Sequence, residues 1–529
     1  MPDFPPDGAP IHDDDLQRCI AVLRAIDADR GLLAQVSPAL RVELLQLAGL
    51  VAKPEKHQLV RMAKAFRRAE REAAKAADRG LIDRTGLRVQ RRAPEYAPLW
   101  LPVPTPEEAA PMAAVDEPAA ALGAAAGHSL IRARHCYVCK SAYTTPHCYY
   151  DSMCVECGDF NYAKREQRAD LSGHFALVTG ARVKIGYQAA LKLLRAGAQV
   201  IVTTRFPVDA AARYAREPDH AEFAPRLQII GLDLRHTPSV EIFARALVER
   251  LPRLDYVLNN ACQTVRRPAG WFRHLLEAEA QPFAALPAAW RNPLTLHTEL
   301  CRGLSSPDAV ASGGQRGVPA LAGLSTARGL THSAALSQQR YLDEDFRDGA
   351  AIFPAGRHDE DRQQVDLRET NSWRLRLHEV ATAELMEVQL INAIAPYTLN
   401  ARLRGLMAAT PGAHQHIVNV SAMEGQFYRM TKTDRHPHTN MAKAALNMMT
   451  RTSAPDYLRD GIHMNAVDTG WVTDEDPVVH AARKAEAGFA PPLDIIDGAA
   501  RIVDPIFAGI NTGRHVWGLF LKDYRSAPW

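Results

Sequence analysis

Residues 175–204, FALVTGARVKIGYQAALKLLRAGAQVIVTT, leave little freedom to the fold. An apolar run ends in a glycine turn, an amphipathic stretch follows, and a second apolar run begins after Gly197. Short runs apolar at nearly every position suit strands buried on both faces, and the stretch between them has helical periodicity. The alternation continues. LQIIGLDL reads as a third strand, VEIFARALVERL as a helix and LDYVLNNA as a fourth strand. A helix around 378–407, the strand HQHIVNVS, a helix from about 440 and the strand IHMNAVD complete the series. Strands alternating with helices predict an α/β fold with a doubly wound parallel sheet of the Rossmann type.

At 529 residues the chain holds more than that one sheet domain, and no internal repeat is present. A net charge of +3 argues against nucleic acid as a partner, since no concentrated basic patch accompanies it. The longest charged helix, KHQLVRMAKAFRRAEREAAKAADRG, reads as a solvated face laced with i,i+4 Glu–Arg pairs. No apolar run reaches bilayer length, so no membrane span is expected. The acidic, proline-rich start MPDFPPDGAPIHDDD resembles neither a secretory signal nor a transit peptide, and a cytoplasmic location is expected.

Ahead of the sheet, residues 1–91 predict a small α-helical region. One helix over 14–27 carries Leu16, Cys19, Ile20, Leu23 and Ile26 on one face, a second spans PALRVELLQLAGLVA, and a third runs from Pro54 to Gly80. Residues 92–130 are rich in Ala and Pro and suit a semi-rigid linker. Residues 131–168 hold CYVCKSAYTTPHCYYDSMCVEC, in which Cys136, Cys139, Cys154 and Cys157 form two CxxC knuckles. Each knuckle aims two thiolates at one point, so four sulfurs predict a closed, tetrahedral, structural Zn²⁺ site in a zinc-knuckle minidomain too small for its own core. His147 and Cys148 are spare ligands. This cysteine usage belongs to a reducing compartment.

In Thr179–Gly186, TGARVKIG, Gly180 permits a tight turn and Gly186 a close helix–strand approach, with backbone N–H groups free to meet a pyrophosphate. With Asp233-Leu234 after the third strand, Asn259-Asn260-Ala261 after the fourth and NAVDTGWVT after the last, residues 169–529 resemble the short-chain dehydrogenase/reductase family. The resemblance implies a dinucleotide held by Thr179, Gly180, Arg182, Ile185, Gly186, Asp233, Leu234, Asn260, Ala261, Lys443, Gly470 and Thr473. Lys184 departs from the family's TGxxxGxG, occupying its middle glycine, and must bend away from the pyrophosphate or pair with it. Cys262 replaces the glycine of NNAG, and Thr469 the proline before Gly470. The second strand ends in TTRFP without an acidic residue for the ribose hydroxyls, whereas Arg205 suits a 2′-phosphate, so NADP(H) is the expected cofactor.

The resemblance also implies hydride transfer on a carbonyl or alcohol. Ser421 would hold the substrate oxygen, Lys443 the nicotinamide ribose, and Asn392 a water in the proton relay. The family's catalytic acid, the tyrosine of YxxxK, is here Thr439. A phenol of pKa near 10 can be pulled toward neutrality by an ammonium, whereas an aliphatic hydroxyl is too weak an acid to replace it. Tyr428, His436 and His438 are the nearby candidates for a substitute donor. Each also reads as a polar loop residue facing water.

About 130 residues separate Asn260 from Asn392, where the family has a short connection, giving an insertion at about 264–378. It springs from the carboxyl edge of the sheet, and so covers the site as a lid or enlarges a subunit contact. Its acidic clusters, DEDFRD and HDEDR, read as solvated loops. Two functions follow: an NADP(H)-dependent oxidoreductase with a small-molecule substrate, or a catalytically impaired dinucleotide-binding scaffold whose helical and zinc modules recruit a protein partner. By resemblance the expected assembly is a homodimer or larger oligomer.

Overall fold

The computed structural model describes residues 12–92, 129–305, 327–347, 349–412, 414–428 and 432–529. Most of the Ala/Pro-rich linker and the middle of the weakly patterned stretch near 303–338 lie outside the described residues. The chain falls into two compact units, Met1–Ala77 and Asp78–Trp529.

The first unit consists of α1 (Asp13–Ala28), α2 (Pro38–Ala52) and most of α3 (Lys56–Ile82). Ser37 caps α2 by accepting the Leu40 N–H, and Arg68 pairs with Glu72 one turn on, at 2.8 Å. No described residue before Asp78 is buried.

In the second unit α4 (Gly86–Arg91) joins a two-stranded ribbon, β1 (Arg134–His135) and β2 (Ala142–Tyr143), and α5 (Val155–Glu166). The main sheet follows, with β3 (Phe175–Thr179), α6 (Lys184–Arg195), β4 (Gln199–Thr204), α7 (Pro207–Tyr214), β5 (Leu227–Gly231), α8 (Thr237–Arg250) and β6 (Tyr256–Asn259). After the insertion, α9 (Thr382–Gln389) passes through a π-helical turn, Leu390–Ile394, into α10 (Ala395–Ala409). Then come β7 (Gln415–Ser421), α11 (Pro437–Leu458), β8 (Ile462–Asp468), α12 (Val478–Glu486), α13 (Ile495–Thr512), β9 (Phe520–Lys522) and β10 (Arg525–Ala527).

The eight strands run in the order β10-β9-β8-β7-β6-β3-β4-β5, parallel throughout except for β10 against β9. Side-chain alternation divides each strand between two cores. Val178, Val200, Val202 and Val418 pack with α6, α7 and α13, whereas Leu177, Ile201, Val257 and Ile417 pack with α8, α10 and α11. The sheet is therefore a central layer between two helical layers. Chain order reverses between β3 and β6, and such a reversal opens a crevice at the carboxyl ends of the strands. The strand order matches the sequence reading from β3 to β8; α7, α12, α13, β9 and β10 lay outside that reading.

The insertion folds back on the crevice. Phe206 from the sheet domain meets Trp271, Phe272, Leu275 and Phe353 in a satellite core. Most residues of the acidic clusters are exposed as expected, with Asp343, Asp359 and Glu360 facing solvent, but Asp345 is turned inward, fully buried and bidentate to Arg266, at 2.8 Å from each of two nitrogens. A buried guanidinium needs such a partner, so the charges serve packing.

Candidate active site

The glycine turn is knitted to the end of β6. Thr179 Oγ1 accepts the N–H groups of Asn260 and Ala261, each at 3.0 Å, while Asn260 Nδ2 donates to Thr179 O at 3.0 Å. Gly180 has φ +67°, and a Cβ there would lie 2.7 Å from Ala261 Cα. A Cβ on Gly186 would lie 2.2 Å from Asn260 Nδ2, so helix and strand approach over bare backbone.

Lys184 holds φ +56° at the first position of α6, the left-handed region that a glycine enters freely and that costs another residue about 1 kcal/mol. Its ammonium bends to two carboxylates, Glu475 Oε1 at 3.9 Å and Asp361 Oδ2 at 4.0 Å. Burial alone would lower its pKa, but Glu475, Asp361 and Asp359 outweigh that and hold it above its ordinary value. Burial raises Asp361 to about 6, against the pull of Lys184 and with help from Asp359. Arg182 is buried and committed, donating to Asp209 at 2.6 Å and Gln363 at 3.1 Å. Ile185 packs on Gly498 of α13.

Arg205 differs from the other cations here. Its guanidinium lies 4.6 Å over the Phe272 ring and 5.6 Å from that of Phe206, with no carboxylate in ion-pair range among the described residues. Burial, and then the nearby Arg235, lowers its pKa to about 10, so it remains a cation at neutral pH. Asp233 is locked in a 2.6 Å pair with Arg235, which also reaches Glu387 at 2.9 Å.

One cavity of about 980 Å³ joins these groups to the far end. Gly180, Arg182, Ile185, Gly186, Arg205, Asp233, Leu234, Asn260, Ala261, Ser421, Lys443, Gly470 and Thr473 all line it. Its outer wall comes from the insertion through Arg267, Trp271, Phe272, Asp359, Gln363 and Trp373.

At the far end Ser421 closes β7 and Lys443 sits in the second turn of α11, its Nζ donating to Val420 O at 2.7 Å. Ser421 Oγ lies 2.5 Å from Asn447 Oδ1, while Asn447 Nδ2 is buried without a partner. Turning this amide over would aim Nδ2–H at Ser421 Oγ and free the serine proton for a substrate oxygen. Asn447 was not anticipated, although its position one helical turn after Lys443 puts it on the same face. Asn392 lies in the π turn, its Oδ1 accepting Gln263 N–H at 2.8 Å and its Nδ2 donating to Gln263 O at 3.2 Å.

The groups around the missing acid stand apart from the cavity lining. Thr439 is buried, its hydroxyl donating to His436 O at 2.8 Å. His436 holds φ +42° and stacks on Trp373, with ring centroids 3.9 Å apart. Burial lowers its pKa, so the ring is neutral at pH 7. His438 points to Glu384 at 3.5 Å, and Tyr428 is 97% exposed. None of Asn392, Thr439, His436, His438 or Tyr428 lines the cavity.

The cysteine module forms one wall. The sulfurs of Cys136, Cys139, Cys154 and Cys157 lie within 4.8 Å of one another, and Cys139 Sγ is 3.8 Å from Cys154 Sγ. Zn–S bonds of 2.3 Å in a tetrahedron require about 3.8 Å between sulfurs. His147 is used otherwise, its Nδ1 accepting the N–H groups of Tyr149 and Tyr150 at 3.1 Å. The module was expected to lack a core, but it shares one with the sheet domain: Leu130, Tyr143, Tyr149, Tyr150 and Met153 pack with Leu81, Leu87, Val472, Leu493, Ile495 and Ile496. Between the two knuckle cysteines, Tyr137 lines the cavity, and its hydroxyl accepts Trp471 N–H at 3.0 Å. A Cβ on Gly470 would meet that hydroxyl at 3.2 Å.

A crevice at the reversal of a parallel sheet, floored by a glycine turn, defines a dinucleotide-binding α/β protein. Family comparison agrees: the short chain dehydrogenase profile matches residues 174–281, and the enoyl-(acyl carrier protein) reductase profile matches residues 370–487, flanking the middle of the insertion. The chain belongs to the short-chain dehydrogenase/reductase family. It is 31% identical over 385 residues to the uncharacterized protein R665 of Acanthamoeba polyphaga mimivirus, covering 71% of each chain. Mouse retinol dehydrogenase 13 is 33% identical over 94 residues, only 18% of this chain and 28% of that one. Among solved structures, a Sinorhizobium meliloti dehydrogenase/reductase aligns with 68% of this chain and 97% of its own at 18% identity, with a TM-score of 0.40.

Proposed function

We propose that the chain is an NADP(H)-dependent oxidoreductase acting on a carbonyl or alcohol. The observation that carries the cofactor assignment is Arg205, a cation with no carboxylate partner among the described residues, just after β4 and stacked on an aromatic face inside the crevice. Guanidinium is the side chain best matched to a phosphate in such a place, and desolvation strengthens the pairing. The turn Gly180–Gly186 would meet the pyrophosphate, and Lys443 the nicotinamide ribose. The bound cofactor supplies or accepts the hydride. Ser421 orients the substrate oxygen through its exchange with Asn447, and the Lys443 ammonium sets the local field. Among the described residues the lining holds no imidazole, and in this reading the proton reaches the substrate oxygen through water held by Ser421 and Lys443. NADPH should bind more tightly than NADH, and Arg205→Ala should weaken NADPH alone, by about ten- to a hundredfold. Titration calorimetry giving equal affinities for the two cofactors would end this reading.

The four-sulfur cluster supports a structural zinc. The ion would hold the knuckle that places Tyr137 against the loop Gly470–Thr473. Elemental analysis should show one fewer zinc per chain in Cys139→Ser than in the parent.

A second reading, a dinucleotide-binding scaffold without turnover, draws on one observation: neither Thr439 nor any of Tyr428, His436 and His438 lines the cavity. In that case no panel of carbonyl compounds will oxidise bound NADPH.

A further inference from the structure

The opposite edge of the sheet carries a histidine cluster that the dinucleotide site does not use. His414 directly precedes β7, His416 is the second residue of β7, His463 is the second residue of β8, and His515 lies between α13 and β9. Ser421 is at the other end of β7, so the cluster and the crevice are about 20 Å apart along the strand. The strand register sets His416 directly beside His463. His414 and His515 stack with centroids 4.3 Å apart, and His463 and His515 with centroids 5.0 Å apart.

One ligand nitrogen from each of His414, His463 and His515 lies within 4.8 Å of the others. Fully buried His416 shares a 2.9 Å hydrogen bond between its Nε2 and His515 Nδ1. That bond fixes the His515 ring and leaves its Nε2 for an ion, the outer-partner arrangement that metal-ligating histidines usually have. The helix beside it is cut back to make room. A Cβ on Gly509 would lie 2.5 Å from His515 Nδ1 and 3.3 Å from His416 Nε2.

We propose that His414, His463 and His515 bind one divalent first-row transition ion of the Zn²⁺, Co²⁺ or Ni²⁺ class, with His416 as the positioning residue behind His515. Imidazole nitrogens on three separate chain segments suit that class rather than Mg²⁺ or Ca²⁺, which take oxygen. A three-nitrogen set leaves a fourth position for water, and because His414 is exposed that position is reachable from solvent. The ion ties the starts of β7 and β8 to the chain entering β9.

The test uses the full chain, made without a polyhistidine tag, reduced, stripped with chelator and titrated with Zn²⁺ and then Co²⁺. The four cysteines are intact in every sample, so their contribution cancels in the difference. The parent should bind one more ion per chain than His414→Ala/His515→Ala. Its Co²⁺ spectrum should contain a weak nitrogen-ligand component that the variant lacks. His414→Ala alone, at an exposed position that the fold tolerates, should weaken that ion by about a hundredfold. Equal stoichiometry in parent and variants would overturn the proposal, as would a difference appearing only at millimolar metal.

Discussion

At the turn end of the crevice a lysine stands where the family has glycine, and at the far end a threonine stands where the family has a phenol. Only the first change has been answered by its surroundings. Lys184 meets Glu475 and Asp361, so its charge is balanced and its ammonium is drawn off the turn. Asp361 comes from the insertion, which has therefore been fitted to this end. Thr439 is turned back onto His436, donating to its O and lying 3.2 Å from its Nδ1, and neither residue lines the cavity. A charge added inside a protein must be paired or it costs several kcal/mol, whereas a lost catalytic group costs the fold nothing. The two ends are thus under different physical constraints, which is why cofactor binding is better defended here than proton transfer.

The largest effect should come from Lys443→Ala. If the far end is still an active site, turnover should fall about 10²- to 10⁴-fold, because the Lys443 ammonium, donating to Val420 O next to Ser421, is the cation that the relay would use. Stopped-flow oxidation of NADPH reads this directly. Unchanged turnover would show that hydride and proton move elsewhere in the crevice.

Lys184→Gly should have a smaller effect, and its sign separates two accounts of the turn. Restoring glycine removes about 1 kcal/mol of backbone cost at φ +56°, but it also leaves Glu475 and Asp361 facing the phosphates without their cation. Electrostatics should win, with NADPH binding weakened about tenfold and restored in Lys184→Gly/Glu475→Gln. Tighter binding in the single variant would show that the carboxylates do not compensate Lys184, and the contrast between the two ends would collapse.

Much of this was legible in the sequence, for identifiable reasons. Strands buried on both faces give apolar runs, so β3 to β8 stood out, and the glycines at 180 and 186 mark approaches that no side chain survives. The lysine's need for a partner could be read too, but the partner's identity could not. Asp361 lies in an insertion without periodicity, and its position depends on how Trp271, Phe272 and Phe353 seat that insertion on Phe206. The inward turn of Asp345 onto Arg266 was hidden for the same reason. The cysteine spacing gave the sulfur cluster. The shared core with Val472 and Ile496 could not be seen, because aromatic residues in a short loop carry no signal of what they pack against.

The smallest expected effect is a gain. Thr439→Tyr would place a phenol at the family's acid position, but His436 and its stack with Trp373 fill the space beside Thr439, with His436 Nδ1 only 3.2 Å from Thr439 Oγ1. His436 also holds φ +42°, where glycine is at ease. The double variant His436→Gly/Thr439→Tyr therefore clears the ring and relaxes the backbone in one step. A well-placed general acid contributes about 10²- to 10⁴-fold, yet an error of about 1 Å in placement can forfeit a hundredfold. The net gain in carbonyl reduction should accordingly be modest, about two- to tenfold over the parent, and it should vanish when Lys443→Ala is added. A gain that survives the loss of Lys443 would mean that the new phenol works outside the old frame. No gain in a folded double variant that still binds NADPH would mean that the far end has drifted beyond repair by one side chain, and the scaffold reading would then be preferred.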